Sequence, residues 1–215
     1  LLATRLLVQG NSGSGKSHLL RRLIEKSAPH VQQTIIDPEG DFVSLSERFG
    51  HLVIDADRGE ADLQAIGERI RQSRVSCVLN LENLDAELQL RAAGVFLNAL
   101  FDAEREYWYP MLVVVDEAQL FAPAMAGEAS DEARRAALGA MTNLMCRGRK
   151  RGLAGVGIER RGHEAHQPEH HRRVGGVPFS GQGEAGVEPV EARPEQKAQI
   201  THRRLCGEAC GYQNL

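Results

Sequence analysis

The chain has 215 residues, 42% of them hydrophobic and 26% charged, and its 26 Lys+Arg against 29 Asp+Glu leave a formal net charge of -3. That is the composition of one ordinary globular domain, large enough to bury a core. The clearest apolar run, Met111 to Val115, is far shorter than the roughly 20 residues of a membrane-spanning helix, so no membrane association is expected. Cys77, Cys146, Cys206 and Cys210 match neither a dense disulfide framework nor a C-x2-C zinc pattern, which points to a reducing cytoplasm.

In chain order, a strand is expected from Arg5 to Gln9, then a Gly-rich loop and a helix from Lys16 to Lys26. Strands follow at Gln33 to Asp37 and Leu52 to Asp55. A helix from Glu60 to Gln72 carries apolar Leu63, Ile66 and Ile70, and a strand spans Val75 to Asn80. A long helix is expected from Asp85 to Tyr107, repeating Leu88, Val95 and Leu100, then a strand from Met111 to Asp116. Ser130, followed by Asp131 and Glu132, is a good N-cap for a helix to about Arg147. A weaker strand pattern runs from Leu153 to Ile158. Strands alternating with helices give an α/β class with a mainly parallel sheet.

Composition shifts near residue 156. Residues 1–155 contain 22 Leu, and the last 60 contain only Leu205 and Leu215, together with five of the eight His and four of the eight Pro. Such a segment buries too little surface to offset its ordering entropy. Residues 1–155 are therefore expected to fold, and 156–215 to be a disordered tail that reads as translation in a shifted frame. The tail's His163, His166, His170 and His171, and the His202, Cys206, Cys210 spacing, lack a folded scaffold for a metal site.

Gly10-Asn11-Ser12-Gly13-Ser14-Gly15-Lys16-Ser17 matches G-x-x-x-x-G-K-[ST] between an expected strand and an expected helix. The glycines let backbone N–H groups turn inward on phosphates, and the helix N-terminus adds partial positive charge. In this pattern Lys16 reaches the β and γ phosphates of ATP, and the Ser17 hydroxyl binds Mg²⁺. The run Met111 to Glu117 is an apolar strand ending in two carboxylates: Asp116 for the Mg²⁺ shell, Glu117 to orient the attacking water. Arg147, Arg149, Lys150 and Arg151 suit either a solvated helix end or a catalytic guanidinium reaching a neighbouring subunit's γ-phosphate, with Arg149 the candidate. Cys77 is expected in the core, and Tyr107-Trp108-Tyr109 as a packing plug ahead of the acidic strand.

These segments, with Asp37-Pro38-Glu39-Gly40-Asp41-Phe42 and Arg147-Gly148-Arg149-Lys150-Arg151-Gly152-Leu153, resemble the ATPase domain of the HerA and FtsK family over residues 4 to about 156. The resemblance implies a RecA-like P-loop NTPase fold, assembly into homo-oligomeric rings and ATP-driven movement of double-stranded DNA. It also implies that the Asp37 to Phe42 loop lies near the nucleotide. The family's sensor Gln has no counterpart in Ala154-Gly155-Val156-Gly157-Ile158-Glu159-Arg160-Arg161, so the sheet is expected to be incomplete on its C-terminal side. Two other readings follow from the same residues: a nucleotide-binding fragment with little turnover, and a conjugation or secretion ATPase.

Overall fold

Period-two alternation in the strands decides which face each helix covers. The computed structural model describes residues 6–121, 129–160 and 199–201. The elements are β1 (Leu6–Gly10), α1 (Lys16–Ser27), β2 (Gln32–Asp37), α2 (Leu45–Phe49), β3 (Leu52–Asp55), α3 (Glu60–Ser73), β4 (Cys77–Asn80), α4 (Ala86–Asp102), β5 (Met111–Val115), α5 (Asp131–Thr142), β6 (Leu153–Arg160) and β7 (Gln199–Thr201). They form one sheet in the order β3-β4-β2-β5-β6-β1-β7. Every pairing from β3 across to β1 is parallel, and β7 pairs antiparallel with β1.

Both faces of the sheet are covered, as a parallel sheet requires. On one face Met111, Val113 and Val115 of β5 join Cys77 and Leu79 of β4 under α3, α4 and α5, with Leu63, Phe96 and Ala137 packed against them. On the other, Leu112 and Val114 of β5 join Ile35, Val78 and Val156 beneath α1, through its Leu20 and Ile24. Cys77 is buried, as the sequence suggested, and burial pushes its thiol up to about 12.

Two expected helix ends move, each for a local reason. The helix expected to reach Tyr107 stops at Asp102, because Ala103 and Glu104 turn extended before a single 3-10 turn at Arg105–Tyr107. The Trp108 indole N–H then donates to the Ala103 carbonyl at 2.8 Å, tying the half-buried aromatic group back onto the helix end. The helix capped by Ser130, whose hydroxyl accepts the Ala133 N–H at 3.2 Å, is regular only to Thr142; a π turn at Asn143–Arg147 and a 3-10 turn at Gly148–Arg151 follow.

The composition boundary at 155 falls inside β6. Val156 and Ile158 are buried on the α1 face, and on the other face a Cβ at Gly155 would lie 2.6 Å from the Met145 sulfur. Past residue 155 the buried residues of this strand are Val156, Gly157 and Ile158, which leave no mark in a Leu count. The rest of the expected tail, with its His and Cys cluster, lies outside the described residues apart from β7.

Candidate active site

Parallel pairing sets the C-terminal ends of the strands along one edge. Leu6 pairs with Val156 and Val115 with Gly157, so Gly10, Asp37, Asn80, Asp116 and Glu159 all sit at that edge. In sequence three strands separate the phosphate loop from the acidic strand; in the sheet only β6 stands between β1 and β5.

The loop from Gly10 to Ser17 is bent by Gly13 and Gly15, whose φ angles of 77° and 84° are left-handed. A Cβ on Gly10 would lie 2.5 Å from the Ser14 hydroxyl oxygen, so a larger residue there would have to displace the Ser14 side chain. The Ser14 N–H donates to the Asn11 carbonyl at 3.1 Å, while the Ser14 hydroxyl is buried with no hydrogen-bond partner. Lys16 is buried, its ammonium donating to the Asn11 carbonyl at 3.0 Å, and Ser17 is exposed in the first turn of α1. That helix has neither a side-chain cap nor an acidic first turn, so its leading N–H groups and positive dipole end have no such partner from the chain, an arrangement that favours an anion. Asn11 and Ser12 are exposed on the loop's crest.

Asp116 follows β5 and is 2% exposed. Burial pushes its carboxyl up to about 7; the nearby negative charges of Glu117, Asp37 and Asp41 push the same way, against the bond it accepts from the Glu117 N–H at 3.0 Å. Glu117 is buried with φ 44°, a left-handed conformation that costs a non-glycine residue energy and collects at functional sites. The turn lets the Gln119 side-chain amide donate to the Glu117 carboxylate.

Asp37 ends β2, which pairs directly with β5. Fully buried, it accepts the N–H groups of Asp41 at 3.1 Å and Phe42 at 2.8 Å, and burial raises its pKa. The Pro38 to Asp41 loop is thus folded around one carboxylate. Arg21 of α1 donates to the Asp41 carbonyl at 2.6 Å and to the Ser44 hydroxyl at 3.1 Å, linking this loop to the helix that Lys16 begins. On the other side of the cradle, the Gln9 side-chain amide donates to the Glu159 carboxylate at 2.5 Å.

Arg149 is not with these groups. The Arg147 to Arg151 segment precedes β6, at the opposite edge of the sheet, and Leu153 is six residues from Glu159 along the strand. At about 3.3 Å per residue the turn lies roughly 20 Å from its own chain's cradle. Arg147, Arg149 and Lys150 are exposed, whereas Arg151 folds inward. Asp37, Gln9, Gln119 and Glu159 had no individual role in the expectations from sequence. Asp37 and Gln119 carried a signal in their nearness to the quoted motifs; the Gln9–Glu159 pair carried none, since only strand pairing brings it together.

A phosphate-loop strand, an acidic strand separated from it by a single strand and helices on both faces define a P-loop NTPase fold. A model of the helicase HerA central domain matches residues 1–109, and the chain belongs to that family. The match ends before β5, so the acid pair and the arginine turn rest on the structure alone. VirB4 of Thermoanaerobacter pseudethanolicus has a similar structure, at 12% identity and a TM-score of 0.51, over 72% of this chain and 69% of that one. The genome packaging NTPase B204 from Sulfolobus turreted icosahedral virus 2, solved in complex with sulfate, aligns at 16% identity and a TM-score of 0.41 over 75% of this chain and 66% of that chain. At these identities the likeness to VirB4 is one of fold. No curated protein sequence matches the chain.

Proposed function

We propose that the chain hydrolyses ATP, and that in a ring of identical subunits this hydrolysis drives movement along double-stranded DNA. The observation that carries the reading is the acid pair Asp116 and Glu117 on β5, one strand away from the loop bearing Lys16. The residues fit a nucleotide with its metal. The cradle has an orphaned buried hydroxyl, a loop bent by two left-handed glycines and an uncapped helix end, and Ser17 and Asp116 offer the hard oxygen donors that Mg²⁺ takes. When bound, Mg²⁺ neutralises charge that develops on the phosphates.

The chain's own groups then divide the work. Loop N–H groups and the Lys16 ammonium, released from the Asn11 carbonyl, hold the β and γ phosphates. The Glu117 carboxylate, oriented by the Gln119 amide, takes a proton from the water that attacks the γ-phosphorus as the bond to ADP breaks. Arg149, roughly 20 Å from its own cradle, serves the neighbouring subunit's γ-phosphate, which makes turnover depend on assembly.

Phosphate release with and without duplex DNA tests the proposal, with Lys16→Ala as the control. Turnover that rises with DNA and vanishes in the control is expected. Turnover indifferent to DNA would remove the translocation step, and a Lys16→Ala chain that hydrolyses ATP normally would remove the cradle assignment. Binding without turnover would leave a nucleotide-binding module.

A further inference from the structure

Arg71 is fully buried, the largest such side chain among the described residues. It sits on α3 in register with inward-facing Leu63 and Gly67. Its guanidinium donates to two carbonyls, Tyr109 at 3.0 Å and Arg151 at 2.9 Å, and its Nε is buried with no partner. Burial lowers its pKa to about 10, so it stays charged at neutral pH. Burying a charge against carbonyls alone is costly, and an apolar side chain of similar size would often be as stabilising or more so. What Arg71 does beyond core stability follows from the two turns that carry these carbonyls.

Tyr109 lies in the turn that feeds β5 and Arg151 in the turn that feeds β6, and Met111 and Leu153 are the first paired residues of those strands. Arg71 joins the two turns just before the ladder begins. The Arg151 side chain points the same way, donating to the Phe101 carbonyl at 2.6 Å and to Asp102 at 3.2 Å, with its guanidinium 4.0 Å from the Phe101 ring centre. Gly152, at φ 78°, closes the clamp: a Cβ there would lie 2.6 Å from the Tyr109 carbonyl oxygen. Residues 151 and 152 are thus held from three sides, while Arg147, Arg149 and Lys150 remain exposed.

We propose that Arg71 and Arg151 are positioning residues: they fix the Gly148–Lys150 turn so that its exposed cations meet the nucleotide of a second copy of this chain, and Arg151 is not itself the acting cation. This rests on the ring reading above. A clamp on the backbone suits the task, since a misplacement of about 1 Å can cost roughly 100-fold in rate.

The test uses full-length copies mixed in pairs. Arg71→Met is expected to keep ATP affinity while losing roughly 100-fold in kcat, with Arg71→Lys, which keeps one donor group, falling between it and the unaltered chain. Mixing Arg71→Met copies with Lys16→Ala copies should restore turnover, because some contacts then join an intact cradle to an intact turn. Full turnover by Arg71→Met alone, or a loss that mixing does not repair, would overturn the proposal. If Arg71→Met does not fold, Arg151→Gln takes its place; its loss should be smaller than that of Arg149→Ala and equally repaired by mixing, and a larger or unrepaired loss overturns the proposal. If Arg149→Ala and Lys150→Ala copies hydrolyse ATP normally, or are not rescued by Lys16→Ala copies, the ring reading itself fails and this proposal with it. If they are rescued and Arg71→Met is not, only the positioning role fails.

Discussion

Asp116→Asn should stabilise the metal-free protein while abolishing its turnover. The carboxyl of Asp116 is 2% exposed and titrates at about 7 instead of the usual 3.8, burial being the main cause. Between those two values the native state binds a proton that the unfolded chain has released, so stability falls as pH rises through the window. Each pH step of one costs about 1.4 kcal/mol, or about 2.7 kcal/mol from pH 5 to pH 7. Water penetration and local relaxation reduce such penalties in real proteins, and about half, ~1.4 kcal/mol, is the working figure. For a chain of this length that is roughly 3 to 6 °C in Tm. The amide carries no such proton, so its profile lacks this slope. Thermal unfolding followed by circular dichroism, in EDTA, should therefore show the Asn variant more stable at pH 7.5, with the gap closing toward pH 5. A gap that does not change with pH, or an Asn variant less stable at pH 7.5, would refute the reasoning.

Glu117→Gln should retain ATP binding and lose about 10² to 10⁴ in turnover, because the amide keeps the shape and cannot take the proton; equal rates in a single-turnover assay would make the acidic turn a structural cap. Phe96→Ala removes a fully buried ring from between α4 and the sheet. It should cost about 3 to 5 kcal/mol by urea denaturation with an unchanged m-value, and a loss below about 1 kcal/mol would contradict the packing described.

The phosphate loop was legible in the sequence because its requirements are local: glycines where φ is positive, one ammonium and one hydroxyl at fixed spacing. The central strands were legible as short, continuous apolar runs, as in Met111 to Val115, which a strand buried on both faces produces. Asp37 was not legible as an acid of the site, since its meaning comes from β2 lying against β5, a pairing that sets Ile36 beside the distant Val115. Arg71 stands four and eight residues after inward-facing Gly67 and Leu63, so its direction was written in the helix period. Its partners were not, because both carbonyls come from later turns. Helix α4 ended early for a similar reason: Trp108 closes the end by folding back on Ala103, an interaction that apolar spacing does not encode.

Strand order has a consequence for how the molecule is made. β1 and the phosphate loop leave the ribosome before the other described strands, yet among the described residues β1 pairs only with β6 and β7, which follow those strands in the chain. The block β3-β4-β2-β5 and its helices can assemble while the cradle strand waits, since domains acquire contacts as the chain supplies them. The nascent protein thus holds β1 in reserve until residues 153–160 arrive to seat it, and closing so long a loop is slow. Nucleotide, which binds only the closed form, would favour that final docking by mass action. In pulse-labelled refolding, amides of β1 should gain protection after those of β5, and simultaneous protection would exclude this sequence of events.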